Sequence, residues 1–112
     1  MSKVFVIAEA GANHNRDFDQ AKVLIDVAAE AGADAVKFQS YSSETLYSAN
    51  TPDFAGYKNI NKLIKDIELP RNWQQDLKNY CDDKGIEFVC TPFDERAVEE
   101  LYNIGVKRYK IA

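Results

Sequence analysis

The sequence predicts a parallel α/β fold, the first half of a (β/α)8 barrel, and three observations predict it. The opening run Val4 to Ala8 is continuous in β-branched and aromatic residues, as in a strand covered on both faces in a parallel sheet. A unit of helical periodicity, glycine and β-rich run recurs at Gly32, Gly85 and Gly105; such alternation builds parallel strands joined by right-handed crossovers. A fourth strand begins at Tyr109 with no helix after it, and the 112 residues are fewer than half of the roughly 250 of a closed barrel. A sheet left bare on one face favours a piece of a larger domain over the open flavodoxin-type sheet that would be complete near this length.

Each element has its own signal. Asp17 stands three residues before Gln20, the spacing of an N-cap with a reciprocal partner. Ala21, Leu24, Ile25 and Ala28 then share one helical face until Gly32 stops the helix near Ala31. Ala35-Val36-Lys37-Phe38-Gln39 is strand two. The segment Ser40 to Lys58 is rich in Ser, Tyr, Thr, Asn and Pro, and a loop of that length in a compact domain is usually functional or mobile. Its aromatics Tyr41, Tyr47, Phe54 and Tyr57 either pack the loop down or form a lid or the wall of a sugar site. Ile60, Leu63, Ile64 and Ile67 line a short helix over Asn59 to Ile67. Pro70 starts another, which runs through Trp73, Leu77, Tyr80 and Cys81 to Gly85. Ile86 to Cys90 form strand three. Asp94 caps a helix carrying Ala97, Val98, Leu101 and Tyr102, Gly105 ends it, and Tyr109 to Ala112 begin strand four.

Composition narrows the function. With 46% hydrophobic residues and only 5 Gly and 3 Pro, the chain can bury a sizeable core. Fourteen lysines and arginines against 18 acids leave a net charge of −4, which argues against broad binding to a nucleic-acid backbone and leaves a local cationic pocket open. No apolar run approaches the ~20 residues of a membrane span, and no signal peptide is read, so no membrane partner is expected. Cys81 and Cys90 are too few for a disulfide framework and fit a reducing cytoplasm as small apolar residues. A single histidine without a Cys-x-x-Cys pair composes no common zinc site, so a metal would need carboxylates or ligands from outside this chain.

Ligands of parallel α/β folds bind beyond the carboxyl ends of the strands. Those ends are polar here: Glu9 on strand one, Lys37 and Gln39 on strand two, Thr91 on strand three and Lys110 on strand four. Alternation puts Lys37 and Gln39 on one face and Val36 and Phe38 on the other. Two ammonium groups and an oriented hydroxyl suit a phosphorylated or carboxylated small molecule, whereas the competing reading has both lysines extending to solvent at the sheet rim. Glu9 is either a salt-bridge partner for one of these lysines or a group for substrate hydroxyls or acid/base work. His14, on the first βα loop, reads as a hydrogen-bonded loop histidine ahead of a substrate contact or a metal ligand.

Four segments together resemble the sialic acid synthase family, whose members include N-acetylneuraminate, N-acylneuraminate-9-phosphate, legionaminate and pseudaminate synthases. They are Ile7-Ala8-Glu9-Ala10-Gly11-Ala12-Asn13-His14-Asn15, Ala31-Gly32-Ala33-Asp34-Ala35-Val36-Lys37-Phe38-Gln39, Thr91-Pro92-Phe93-Asp94 and Tyr109-Lys110-Ile111-Ala112. The resemblance runs over nearly the whole chain. It implies a (β/α)8 TIM barrel that condenses phosphoenolpyruvate with an open-chain N-acylated amino sugar, of the N-acetylmannosamine type or its 6-phosphate. The product is a nonulosonic acid and phosphate is released, with the help of a divalent metal, Mn2+ or Mg2+. Lys37, Thr91 and Lys110 then look like phosphoenolpyruvate ligands, Gln39 like a contact to the sugar or the reacting centre, and Glu9 like a catalytic group. On this resemblance, residues 1–112 are the N-terminal portion of the barrel, about four strands. The metal ligands lie beyond residue 112, the family's C-terminal antifreeze-like domain is absent, and the full-length protein is a cytoplasmic homodimer. The chain departs from the family at Cys90, where a serine commonly precedes Thr-Pro-Phe.

Two other classes compete. A self-contained flavodoxin-like signalling or binding module would place clustered aspartates at the strand ends if it received a phosphoryl group, and this chain has Lys, Gln and Thr there. Another phosphate-handling barrel, an aldolase or a 3-deoxy-sugar-phosphate synthase, shares the cationic strand ends and differs in the aldehyde it accepts.

Overall fold

The computed structural model of the chain describes residues 3–48, 51–52, 56 and 58–112. Its elements run β1 (Ile7–Gly11), α1 (Phe18–Glu30), β2 (Ala35–Ser40), α2 (Ser43–Leu46), α3 (Ile60–Ile67), a 3-10 turn (Arg71–Trp73) leading into α4 (Gln74–Lys84), β3 (Glu87–Pro92) and α5 (Glu95–Asn103). The strands are parallel in the order β1-β2-β3. Helices α1, α4 and α5 pack on one face of this sheet, α1 and α4 against each other. A flavodoxin-type sheet has the order 2-1-3 with helices on both faces. The described residues have neither feature, so that alternative lacks its topology.

Local chemistry sets most boundaries. Asp17 caps α1, accepting the Gln20 N–H at 3.0 Å, but the predicted reciprocal bond is not made because the Asp17 N–H donates to the His14 carbonyl at 2.9 Å. Asp94 caps α5 by accepting the Ala97 N–H at 2.7 Å. Gly32 and Gly85, at φ of +83° and +71°, supply the left-handed turns that release the chain from α1 and α4 into the next strands.

The first strand departs from expectation. β1 starts three residues later than Val4, and Val4 to Ile7 are exposed rather than covered on both faces. Asp34 is the reason: its carboxylate accepts the Val6 N–H at 2.8 Å while the Val6 carbonyl accepts the N–H groups of Asp34 and Ala35, so a side chain replaces ladder pairing until Ile7 meets Ala35. A uniformly apolar run carries no periodic signal to mark that point. Strand four is represented by one parallel bridge, Cys90 with Tyr109, extended by the Lys110 N–H on the Cys90 carbonyl at 3.2 Å.

The core lies between the sheet and these helices. Val36, Phe38, Phe88 and Cys90 from β2 and β3 meet Ala21, Ile25 and Ala28 of α1, Leu77 and Cys81 of α4 and Leu101 of α5. Both thiols are free and buried, and burial pushes each up to about 12, so they stay protonated and act as small apolar fillers. Phe38, fully buried and 5.8 Å from the Phe88 ring, is the centre of this layer. Phe38→Ala is expected to cost the full-length protein about 3–5 kcal/mol, read from its urea-unfolding midpoint and slope; a loss below about 1 kcal/mol would mean the layer is not the core.

Candidate active site

The face of the sheet opposite the helices carries most of the site residues expected from the sequence. Register places Glu9 beside Lys37 and Gln39 beside Thr91, and partners in adjacent parallel strands share a face. Lys37 Nζ stands 2.6 Å from Glu9 Oε2, with the lysine side chain only 12% exposed and the carboxylate 55% exposed. In this structure Glu9 is an ion-pair partner of Lys37. A pair this open to water at one end contributes modestly to stability, so an incoming anion can take over the ammonium at small cost.

A bulge shapes the same corner. The β1–β2 register shifts between Glu9 and Gly11, and Gly11 has φ of +53°. A Cβ there would stand 3.4 Å from Glu9 Oε1 and 3.6 Å from Gln39 Oε1, so the glycine leaves room for both side chains to lie side by side. Thr91 is 2% exposed, and its Oγ1 is buried with no hydrogen-bond partner among the described residues. Buried hydroxyls nearly always have partners, and this one, unpartnered among the described residues, lies on the face that holds Lys37 and Gln39.

Lys110 sits differently. Tyr109 packs on the core side, so alternation turns Lys110 toward the Thr91 face, but its side chain is exposed and forms no ion pair among the described residues. The structure thus brings Glu9, Lys37, Gln39 and Thr91 together and leaves Lys110 at the edge beside them.

His14 is a packed loop residue. It is 1% exposed, wedged between Phe38 and Trp73 with ring centroids 6.3 and 6.0 Å away. Its Nδ1 accepts the Arg16 N–H at 2.9 Å, so the neutral ring carries its proton on Nε2. That bond steadies two successive non-glycine residues in the left-handed region, Asn15 and Arg16 at φ of +51° and +55°, each costing about 1–2 kcal/mol. Burial first, and then the Arg16 charge, pull His14 below its ordinary value. Among the described residues no group of three or more His, Cys, Asp or Glu side chains could hold a metal ion. With Glu9 engaged by Lys37 and His14 Nδ1 engaged by the backbone, these residues do not fit a divalent metal.

Behind the site is a cluster that sequence reasoning missed. Arg71 donates to Asp94 Oδ1 at 2.7 Å, to Glu100 Oε1 at 2.8 Å and to Ser40 Oγ at 3.3 Å, and Ser40 in turn donates to Gln74 Oε1 at 3.1 Å. Burial alone would raise Asp94, but its bonds from Arg71 and the Ala97 N–H more than offset this and leave the carboxyl below its usual range. The sequence marked Asp94 only as a cap and held no signal for Arg71. Of the loop aromatics, Tyr41 packs down, buried and edge-on to Phe93 at 5.7 Å, while Tyr47 is partly exposed. Phe54 and Tyr57 lie outside the described residues.

A parallel α/β unit with cationic and amide side chains at its strand ends is the kind of face on which such folds bind small molecules. The model of the NeuB family matches residues 24–112, and the chain belongs to that family. It is 41% identical over 97% of its length to the spore coat polysaccharide biosynthesis protein SpsE of Bacillus subtilis, covering 30% of that protein. It is 42% identical over 96% of its length to the N,N'-diacetyllegionaminic acid synthase of Legionella pneumophila, covering 32% of that enzyme. Among solved structures it is similar to the N-acetylneuraminic acid synthetase of Leptospira borgpetersenii, solved with citrate, with TM-score 0.85, 40% identity, 98% of this chain covered and 36% of that one. The chain therefore spans about a third of the length of the curated relatives it matches. The resemblance read from the four sequence segments is the family the comparisons show.

The histidine yields a pH dependence with a definite sign. Folded His14 holds its proton more weakly than the ordinary value of 6.5, so the unfolded state binds more protons as pH falls through that value. Stability present above about 6.5 is then progressively lost below it. The urea midpoint of the full-length protein is expected to drop between about pH 7.5 and 5.5. His14→Asn, which keeps an acceptor but does not titrate, is expected to flatten that limb. Equal slopes in the two proteins would remove His14 as the cause.

Proposed function

We propose that the full-length protein condenses phosphoenolpyruvate with an N-acylated amino sugar to give a nonulosonic acid and phosphate, and that this chain supplies most of the donor site. The observation that carries the reading is the Thr91 hydroxyl, buried on the face that holds Lys37 and Gln39 and without a hydrogen-bond partner among the described residues. Family membership and the acid-synthase names of relatives support the reaction class. The citrate held by the Leptospira synthetase is a carboxylated small molecule, the kind of ligand this face suits.

On this reading the strands are the first half of a (β/α)8 barrel whose interior is the Lys37 face, and the protein works as a cytoplasmic homodimer. Among the described residues no helix is long and apolar enough to cross a membrane. Lys37 and Lys110 hold the carboxylate and phosphate of the donor, and Thr91 donates its hydroxyl to one of their oxygens. Gln39 orients the sugar at the reacting centre. Carbon three of the donor forms the new bond to the sugar's aldehyde carbon, and the aldehyde oxygen takes up a proton. Carbon two, left electron-poor, adds water, and phosphate leaves with its bridging oxygen as that C–O bond breaks, giving the 2-oxo acid. When the donor's anion takes Lys37, Glu9 is released from its 2.6 Å pairing. It is then free to bind a sugar hydroxyl or accept the proton of the attacking water. A divalent metal, Mn2+ or Mg2+, belongs to this reading with ligands outside the described residues.

In the full-length enzyme, Lys37→Ala and Lys110→Ala are each expected to weaken phosphoenolpyruvate use roughly tenfold or more, the loss of one charge-assisted bond. Kinetics unchanged in both would remove the lysines from the site. Thr91→Val discards a hydroxyl that has no hydrogen-bond partner among the described residues. It is expected to leave the melting temperature unchanged while raising KM for phosphoenolpyruvate about fivefold or more. A large stability loss with KM unmoved would make Thr91 structural. Assay with phosphoenolpyruvate and a panel of N-acyl hexosamines, reading phosphate release, tests the reaction itself.

A further inference from the structure

Arg71 lies on the side of the sheet away from the site, yet it touches the strand ends that form it. Ser40, the last residue of β2, follows Gln39 directly and is fully buried. Its side chain turns to the helix face, where it meets the Arg71 guanidinium, and its carbonyl accepts the Phe93 N–H at 3.0 Å. The same guanidinium grips Asp94, three residues past Thr91, and Glu100 one turn into α5. Asp94 Oδ2 also receives the Thr45 hydroxyl at 3.3 Å, which ties α2 to the same point. One planar cation therefore joins the end of β2, the turn after β3, α5 and, through Asp94, the segment that follows β2. A three-way grip of this kind needs the fork of arginine; a lysine ammonium reaches one carboxylate at a time.

We propose that Arg71 is a positioning residue for the donor site, bracing from behind the two strand ends that present Gln39 and Thr91; this rests on the phosphoenolpyruvate reading. The orphan hydroxyl of Thr91 can meet a ligand atom only while its strand end is fixed, and shifts of a fraction of an ångström at such positions are felt in binding. Arg71 touches no reacting group itself.

The test uses the full-length enzyme with Arg71→Lys, which keeps the charge, and with Arg71→Met combined with Glu100→Gln, which removes one of the two carboxylates the cation neutralises and so protects the fold. Expected are a rise in KM for phosphoenolpyruvate of about threefold in the lysine variant and about tenfold in the double variant, with kcat within about twofold of the parent. KM at the parent value in both variants overturns the proposal. So does a fall in kcat that tracks a lower melting temperature while KM stays put, since that is the signature of a merely structural residue. If the parent enzyme itself does not consume phosphoenolpyruvate with any N-acyl hexosamine, the functional reading fails separately. The brace is then judged by amide hydrogen exchange of residues 91–94. Faster exchange in Arg71→Lys supports it, and unchanged exchange overturns it.

Discussion

The two-residue period of β2, imposed on a strand that is paired along both edges, is the constraint on which the rest of the structure depends. Val36 and Phe38 must enter the layer shared with α1, α4 and α5, and once they do, Lys37 and Gln39 have no choice but the opposite face. A slip of one residue would drive an ammonium and an amide into a dry core and bring an aromatic ring out, a cost far above the few kcal/mol that separate native from unfolded chains. The aim of the Lys37 face is therefore enforced by apolar packing on the other side of the same strand.

Charge is divided between the two sides in a way that fits their tasks. On the site face, Lys37 is nearly buried but its partner Glu9 is half in water, so the pair can be reopened by a ligand. On the helix side, Arg71 and Asp94 are both largely buried and Asp94 is saturated with donors. Breaking that cluster strands a carboxylate in low dielectric, which makes it a rigid fixture rather than an exchangeable contact. Exchange in front and rigidity behind are the two properties that a binding face built on strand ends requires.

Particular residues show where the amino-acid order was legible. Asp17 and Asp94 announced their helices because a cap acts over three residues, and Gly32 and Gly85 announced the exits because a left-handed turn is a property of one residue. Gln39 and Thr91 were legible as site candidates because strand alternation is local and strand-end chemistry is common to parallel α/β folds. The start of β1 was not legible, since Asp34, which displaces it, lies 28 residues from Val6. Neither was Arg71, whose partners are 23 and 29 residues on and 31 residues back.

By itself, then, the amino-acid order determined the alternation of strands and helices, the helix ends and the family, all of which are written in periodicity, caps and short motifs that act within a few residues. Only the tertiary structure decided that Glu9 closes on Lys37, that the Thr91 hydroxyl has no partner among the described residues, that His14 is a packed loop residue, and that one arginine clasps two strand ends. Those outcomes depend on which distant side chains share a volume, and that is settled when the sheet and helices pack, not before.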